Sequence, residues 1–125
     1  MALDAVMTSH TYHRGWDEEY PMTLSRKALD VFLRGKLGCE GVILSDDLLM
    51  GSIVRQFTLE EACVLSVQAG ADILLGSNNS PEGDDPALFG GMFRSLAKAA
   101  EEGRLSRDSV ESSYRRIAAL RACLG

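Results

Sequence analysis

Gly41–Met50, GVILSDDLLM, sets an apolar run directly against two adjacent carboxylates. Val42, Ile43 and Leu44 are apolar on both sides of the pleat, and a glycine opens the run. That is the pattern of a strand covered on both faces, as in a parallel sheet. Asp46 and Asp47 follow at once. A carboxylate at the end of a buried strand is costly unless it is hydrogen-bonded or paired. Two in succession read either as the cap of a following turn or as a chemical site, and at the level of these residues both readings stand.

Two further stretches share the pattern: Ala5–Ser9 (AVMTS) and Asp72–Gly76 (DILLG). Helical periodicity fills the intervals. Ser25–Leu37 places Ala28, Leu29, Phe32, Leu33 and Leu37 towards one side, with Ser25 as its N-cap and Gly38 as its stop. Thr58–Ala69 opens with Thr58 and has Glu61 three positions on, the capping-box spacing, and Gly70 follows. A polar loop, Gly76–Asp85, leads to a helix over Pro86–Glu102 with Phe89, Met92, Phe93, Leu96, Ala97 and Ala100 on one face. Gly103 ends it, and Ser106 opens a last helix with Val110, Tyr114, Ile117, Leu120 and Leu124 inward.

Strand, helix, strand, helix, strand, helix, helix is the order of successive parallel βα units, with strand starts spaced roughly 30 residues or a little more apart. The fold class is therefore α/β with parallel βα units. Three parallel strands neither close a barrel nor complete a doubly wound sheet, so the expectation is part of a larger architecture, incomplete on its own.

Composition narrows the function classes. The chain has 125 residues and a net charge of -5. Its basic residues are scattered, which argues against nucleic acid as a partner. No apolar run is long enough for a membrane span, and the N-terminus lacks the pattern of a signal peptide. Cys39, Cys63 and Cys123 are odd in number and widely spaced, so no zinc site or disulfide framework is expected; reduced thiols and a cytoplasmic location are. No spacing of His and acidic residues defines a metal site, and HRGWDEEY, His13–Tyr20, reads as a solvated polar loop.

In parallel α/β proteins function collects at the C-terminal ends of strands. Those ends carry His10, then Asp46 and Asp47, then Ser77, Asn78 and Asn79, which would share one rim. A lone His at a strand end also serves as a packed structural residue, and Leu48, Leu49 and Met50 also fit core packing.

GVILSDDLLMGSI resembles the nucleophile motif of family 3 glycoside hydrolases, G-V-[IV]-[IVF]-[ST]-D-[DAW]-L-x-M, in the form typical of the β-N-acetylhexosaminidase branch, which includes enzymes of peptidoglycan recycling. AVMTSH is similar to the V-M-x-[AS]-H strand before that motif. PMTLSRKALDVFLRGKLGCEGV, QAGADILLG and EEGRLSRDSVESSYRRIAALR resemble the segments around it, in order, over nearly the whole chain. The resemblance implies that residues 1–125 are the C-terminal three strands of a (β/α)8 TIM-type catalytic barrel.

It also implies roles. Asp46 matches the catalytic nucleophile. Asp47 matches a supporting neighbour, His10 a pocket-lining position beside the nucleophile, and Met50 a position near the sugar's N-acetyl side, so His10, Asp47 and Met50 are the expected substrate-binding residues. The substrate would be a terminal β-linked N-acetylglucosaminide, hydrolysed with retention and without cofactor or metal. A retaining enzyme needs a second group about 5–5.5 Å from the nucleophile to protonate the leaving oxygen. In this branch that group is a His on a loop after the fifth strand, and neither His10 nor His13 matches its motif. The isolated chain is thus expected to be inactive. Two alternatives accompany this reading. A β-glucosidase or xylosidase fragment is disfavoured by Asp47 where that branch carries Trp. A non-catalytic chain would associate with itself, or with an N-terminal half, through open sheet edges.

Overall fold

The computed structural model describes residues 3–79 and 83–125. Ser80, Pro81 and Glu82 of the expected polar loop lie outside the described residues, as do Met1 and Ala2. Three parallel strands form one sheet in sequence order: β1 (Ala5–Met7), β2 (Val42–Asp47) and β3 (Ile73–Leu75). β1 pairs with β2 in register, Ala5 with Val42 and Met7 with Leu44. β2 pairs with β3 through Leu44–Ile73 and Asp47–Leu75, and the register shifts between them. Ser45, fully buried, answers that irregularity: its Oγ accepts the Leu75 N–H at 2.9 Å.

Gly41 opens β2 because nothing larger fits. A Cβ there would lie 2.1 Å from the Leu3 carbonyl oxygen, well inside contact distance. The close approach seats β1 beside β2, and the Val42 N–H donates to the Asp4 carbonyl at 3.0 Å.

A short 3-10 turn, Met22–Leu24, precedes a π-helix, Lys27–Lys36. Ser25 caps this helix as expected: its Oγ accepts the Ala28 N–H at 3.2 Å. The wider π winding was not readable from the apolar spacing; it ends with the Leu37 N–H on the Phe32 carbonyl and Gly38 in the left-handed region at φ 64°. Ala28 and Leu29 pack against Ile43 of β2, with Ala69 and Ala71.

After β2, a one-turn helix α1 (Gly51–Val54) occupies what the sequence left unassigned. α2 (Leu59–Ala69) carries the capping box in full: Thr58 Oγ1 accepts the Glu61 N–H, and the Glu61 carboxylate accepts the Thr58 N–H. Gly70 follows it at φ 118°. The main core gathers Leu24, Leu48, Ile53, Ala62, Cys63, Leu88 and Met92. Each fully buried Leu or Ile among them contributes about 1.5–3 kcal/mol relative to exposure.

α3 (Leu88–Glu101) and α4 (Arg107–Leu124) correct two expectations. The buried stripe of α3 is Leu88, Met92 and Ala99, while Phe89 and Phe93 point outward, Phe93 at 72% exposure. The apolar stripe marks an amphipathic face, but the neighbours within the chain lie to one side of it. α4 buries no residue fully, and Val110, Tyr114 and Leu124 are exposed rather than inward. Its polar side holds it instead. Ser113 and Arg116 bond the Asp72 carboxylate, whose side chain is 0% exposed. Arg34 of the π-helix reaches the same carboxylate at 2.6 Å, and Asp72 also accepts the Ile43 N–H. An ion cluster therefore closes the N-terminal end of the sheet.

The loop His13–Tyr20 is largely exposed, as expected, with one correction at Asp17. Asp17 is only 5% exposed. Its carboxylate accepts from the Glu19 and Tyr20 N–H groups and from the Ser25 hydroxyl. Trp16 packs edge-on to Phe32 at 4.2 Å. The loop is folded onto the start of the π-helix because short-range donors satisfy its acid locally.

Cys39 and Cys63 are buried, Cys123 is exposed, and all three are free. Burial pushes the Cys63 thiol up to about 11, so it is a packing residue and not a nucleophile. No helix among the described residues is long and apolar enough to cross a membrane.

Candidate active site

The three strands deliver their C-terminal ends to one rim, and the side chains there are joined by hydrogen bonds. Asp47 is the hub of the loops. Its Oδ1 accepts the Leu49 N–H at 3.0 Å and the Ser77 N–H at 2.9 Å, and its Oδ2 accepts the Ser77 hydroxyl. One carboxylate thus caps the turn after β2 and ties it to the loop after β3. Burial alone would raise the Asp47 carboxyl; the Ser77 hydroxyl and N–H and the Leu49 N–H, joined by the attraction of His10 whenever that ring is protonated, outweigh it and hold the group below its ordinary value. The cap reading of the sequence holds for Asp47.

Asp46 is different. It is half-buried, and among the described residues its carboxylate takes one hydrogen bond, from the Asp47 N–H at 2.8 Å. It lies in the stretch where the register of β2 against β3 shifts. The carboxylate retains acceptor capacity. Its own N–H donates to Thr8 Oγ1 at 3.1 Å.

His10 joins the two neighbouring strand ends. Nε2 lies 2.7 Å from the Asp47 carbonyl oxygen and Nδ1 lies 3.0 Å from Thr23 Oγ1. Both ring nitrogens are thus engaged by the protein. Thr23, fully buried, in turn lies 2.8 Å from Thr8 Oγ1. Met50 is 45% exposed and stands at the start of α1, at the edge of the same rim. Tyr12 is tied across the rim to Gln56, its hydroxyl donating at 3.0 Å.

The structure thus brings His10, Asp46, Asp47 and Ser77 together as the strand-end argument expected. Thr8 and Thr23 were not singled out. Thr8 sits two residues before His10 in the same extended segment, a usable signal; Thr23 arrives from the 3-10 turn, and no spacing announces it. Among the described residues no group of three or more His, Cys, Asp or Glu converges to hold a metal ion. A cleft of about 950 Å³ between the π-helix and α4, and a smaller one between α4 and β2, do not include Asp46.

A carboxylate at a strand end, with capacity left on its oxygens and a rigid loop frame beside it, can attack an electrophilic carbon or stabilise a cationic one. Comparison with known proteins bears on which. Residues 1–120 match the family model described as the glycosyl hydrolase family 3 N terminal domain. The chain is 34% identical over 98% of its length to an uncharacterized secreted glycosyl hydrolase of Arthroderma benhamiae, covering 33% of that protein. It is 39% identical over 79% of its length to a beta-hexosaminidase of Tolumonas auensis, covering 29% of that one. Among solved structures it superposes on a glycoside hydrolase family 3 beta-N-acetylglucosaminidase from a Paenibacillus species with TM-score 0.87 and 33% identity, over 97% of this chain and 22% of the other. The chain spans about a third or less of the length of these relatives.

Proposed function

Because this chain belongs to glycosyl hydrolase family 3, we propose that it is the nucleophile-bearing part of a retaining β-N-acetylhexosaminidase acting on terminal β-linked N-acetylglucosamine. The observation that carries the reading is Asp46: a half-buried carboxylate at the end of the central strand, with one donor among the described residues. In this reading Asp46 attacks the anomeric carbon and forms a glycosyl-enzyme, which water then releases. Asp47 stays ionised and holds the loops after β2 and β3 in place. His10 lines the pocket, and Met50 lies towards the N-acetyl group.

The three strands are read as the last three of a (β/α)8 barrel. An eight-unit barrel takes about 250 residues, and two edges of this sheet are open. The acid/base then comes from strands outside these 125 residues, and natural glycosides are not turned over by the isolated chain. Association with an N-terminal half, or with a second copy, would cover the open edges. The three free thiols fit a reducing, cytoplasmic setting, although the Arthroderma relative is named as secreted.

The experiment uses a substrate that needs no protonation of its leaving group. A 5-fluoro glycosyl fluoride carrying the 2-acetamido group is incubated with the chain, and the product is mapped by mass spectrometry. Covalent sugar on the peptide containing Asp46, abolished by Asp46→Asn, is the expected result. Label on another residue, or labelling that survives Asp46→Asn, overturns the nucleophile. A preference for the 2-hydroxy analogue over the 2-acetamido one would move the substrate to the glucosidase class.

A further inference from the structure

We propose that Thr8, Thr23 and His10 are positioning residues that close a hydrogen-bonded ring on the Asp46–Asp47 backbone and so aim the Asp46 carboxylate. The inference rests on the reading of Asp46 as nucleophile. Among the described residues neither Thr8 nor Thr23 hydrogen-bonds the carboxylate itself.

The ring follows from counting protons. The Asp47 carbonyl has none to give, so His10 Nε2, 2.7 Å away, must be the donor. In the neutral imidazole Nδ1 is then bare and can only accept. Thr23 lies 3.0 Å from it, so the Thr23 hydroxyl proton is committed to His10. The Thr23 oxygen is left as acceptor for its other neighbour, and the 2.8 Å contact with Thr8 must be donated by Thr8. The Thr8 oxygen in turn accepts the Asp46 N–H at 3.1 Å. Every donor points the same way: Asp46 N–H to Thr8, Thr8 to Thr23, Thr23 to His10, His10 to the Asp47 carbonyl. The chain begins and ends on one dipeptide, and bonds aligned in one sense strengthen one another.

The frame around the ring is rigid. Thr23 is fully buried, and its N–H is fixed to the Ser9 carbonyl at 3.1 Å. The Thr8 N–H is fixed to the Leu44 carbonyl at 2.9 Å, which extends the β1–β2 ladder. The Asp46–Asp47 backbone is thus gripped at the N–H of its first residue and the carbonyl of its second. The side chain between them has one donor of its own among the described residues. Its direction is set by the backbone that bears it, and a misplacement of about 1 Å costs on the order of 10²-fold in rate.

The test reads the ring without relying on turnover. In the ¹⁵N-labelled chain above the His titration range, long-range proton–nitrogen spectra should show Nε2 protonated and its proton slow to exchange. The Asp46 amide should shift and lose exchange protection in Thr23→Val, although Thr23 is two links away, and Thr23→Ser should restore both. Trapping by the activated fluoride should fall about 10-fold or more in its maximal rate in Thr23→Val, with the half-saturating concentration unchanged. A proton on Nδ1 in the parent chain overturns the ring, as does an Asp46 amide indifferent to Thr23→Val in a folded variant. If Thr23→Val does not fold, the same readings on Thr8→Ser and Thr8→Val decide. An intact amide response with no label at Asp46 would sink the nucleophile and leave the ring standing; the reverse pattern would do the opposite.

Discussion

The two ends of the sheet each hold an acid at a strand terminus, and they treat it in opposite ways. At the N-terminal end Asp72 is fully enclosed and takes two guanidinium groups, from Arg34 and Arg116, together with the Ser113 hydroxyl and the Ile43 N–H. At the C-terminal end, among the described residues, Asp47 is held by neutral donors apart from the nearby His10, and Asp46 by a single N–H. Full charge pairing fixes a carboxylate and removes its capacity for further bonds. Neutral donors keep Asp47 ionised, and Asp46 beside it retains acceptor capacity. The same side chain is spent on cohesion at one end and left available for chemistry at the other, the division expected of parallel α/β units.

The contrast can be broken most directly at Asp46. Asp46→Asn should lower the trapping rate by about 10³-fold or more, since it removes the attacking atom, and shift stability by less than about 0.5 kcal/mol. Rate and urea midpoint measured on one preparation check both halves. Asp72→Ala should show the inverse pattern. It strands two guanidiniums that are themselves only partly exposed, and unfolding by urea should find a loss of about 3 kcal/mol or more.

Asp47 lies between these extremes. Asp47→Ala leaves two backbone N–H groups without an acceptor and should cost about 1.5–3 kcal/mol in the same assay. Its acid response has a defined sign. The folded carboxyl titrates below the unfolded one, so its contribution is complete above the unfolded value of about 3.9 and is lost as pH falls through the folded value. The stability gap between parent chain and Asp47→Asn should therefore narrow below about pH 4 and stay constant above pH 5. A gap that widened on acidification would contradict the assignment of its donors. The smallest effect belongs to Thr58→Ala, which opens the capping box of α2 far from both ends and should cost about 1 kcal/mol, without change in trapping.

Much of this layout was legible in the sequence because it is written in local patterns. The apolar run before Asp46, the Thr58/Glu61 spacing, Gly70 and the Ser106 cap each act within a few residues and each formed. What escaped depends on contacts between distant segments. The acid of HRGWDEEY is buried because Ser25 donates to it, and polarity alone gives no hint of that. The outward Phe89 and Phe93 show that periodicity finds a stripe without finding its partner. Arg34 and Arg116 look like ordinary helix-surface charges until Asp72 is seen between them. For the rim, position after a strand was enough to name His10, Asp46 and Asp47, while Thr23 enters from another element and left no mark.

The ion cluster has a consequence in time. Asp72 follows Arg34 by 38 residues and precedes Arg116 by 44. A chain emerging from the ribosome therefore presents this acid with one of its two cations and waits for the second. At synthesis rates of about 5–20 residues per second that delay is roughly 2 to 9 seconds. During the interval the floor of the sheet is open and α4 does not yet exist to cover it. The helix that seals this end of the sheet is made after the strands it covers, so nascent chains are more exposed to aggregation and proteolysis until α4 is added.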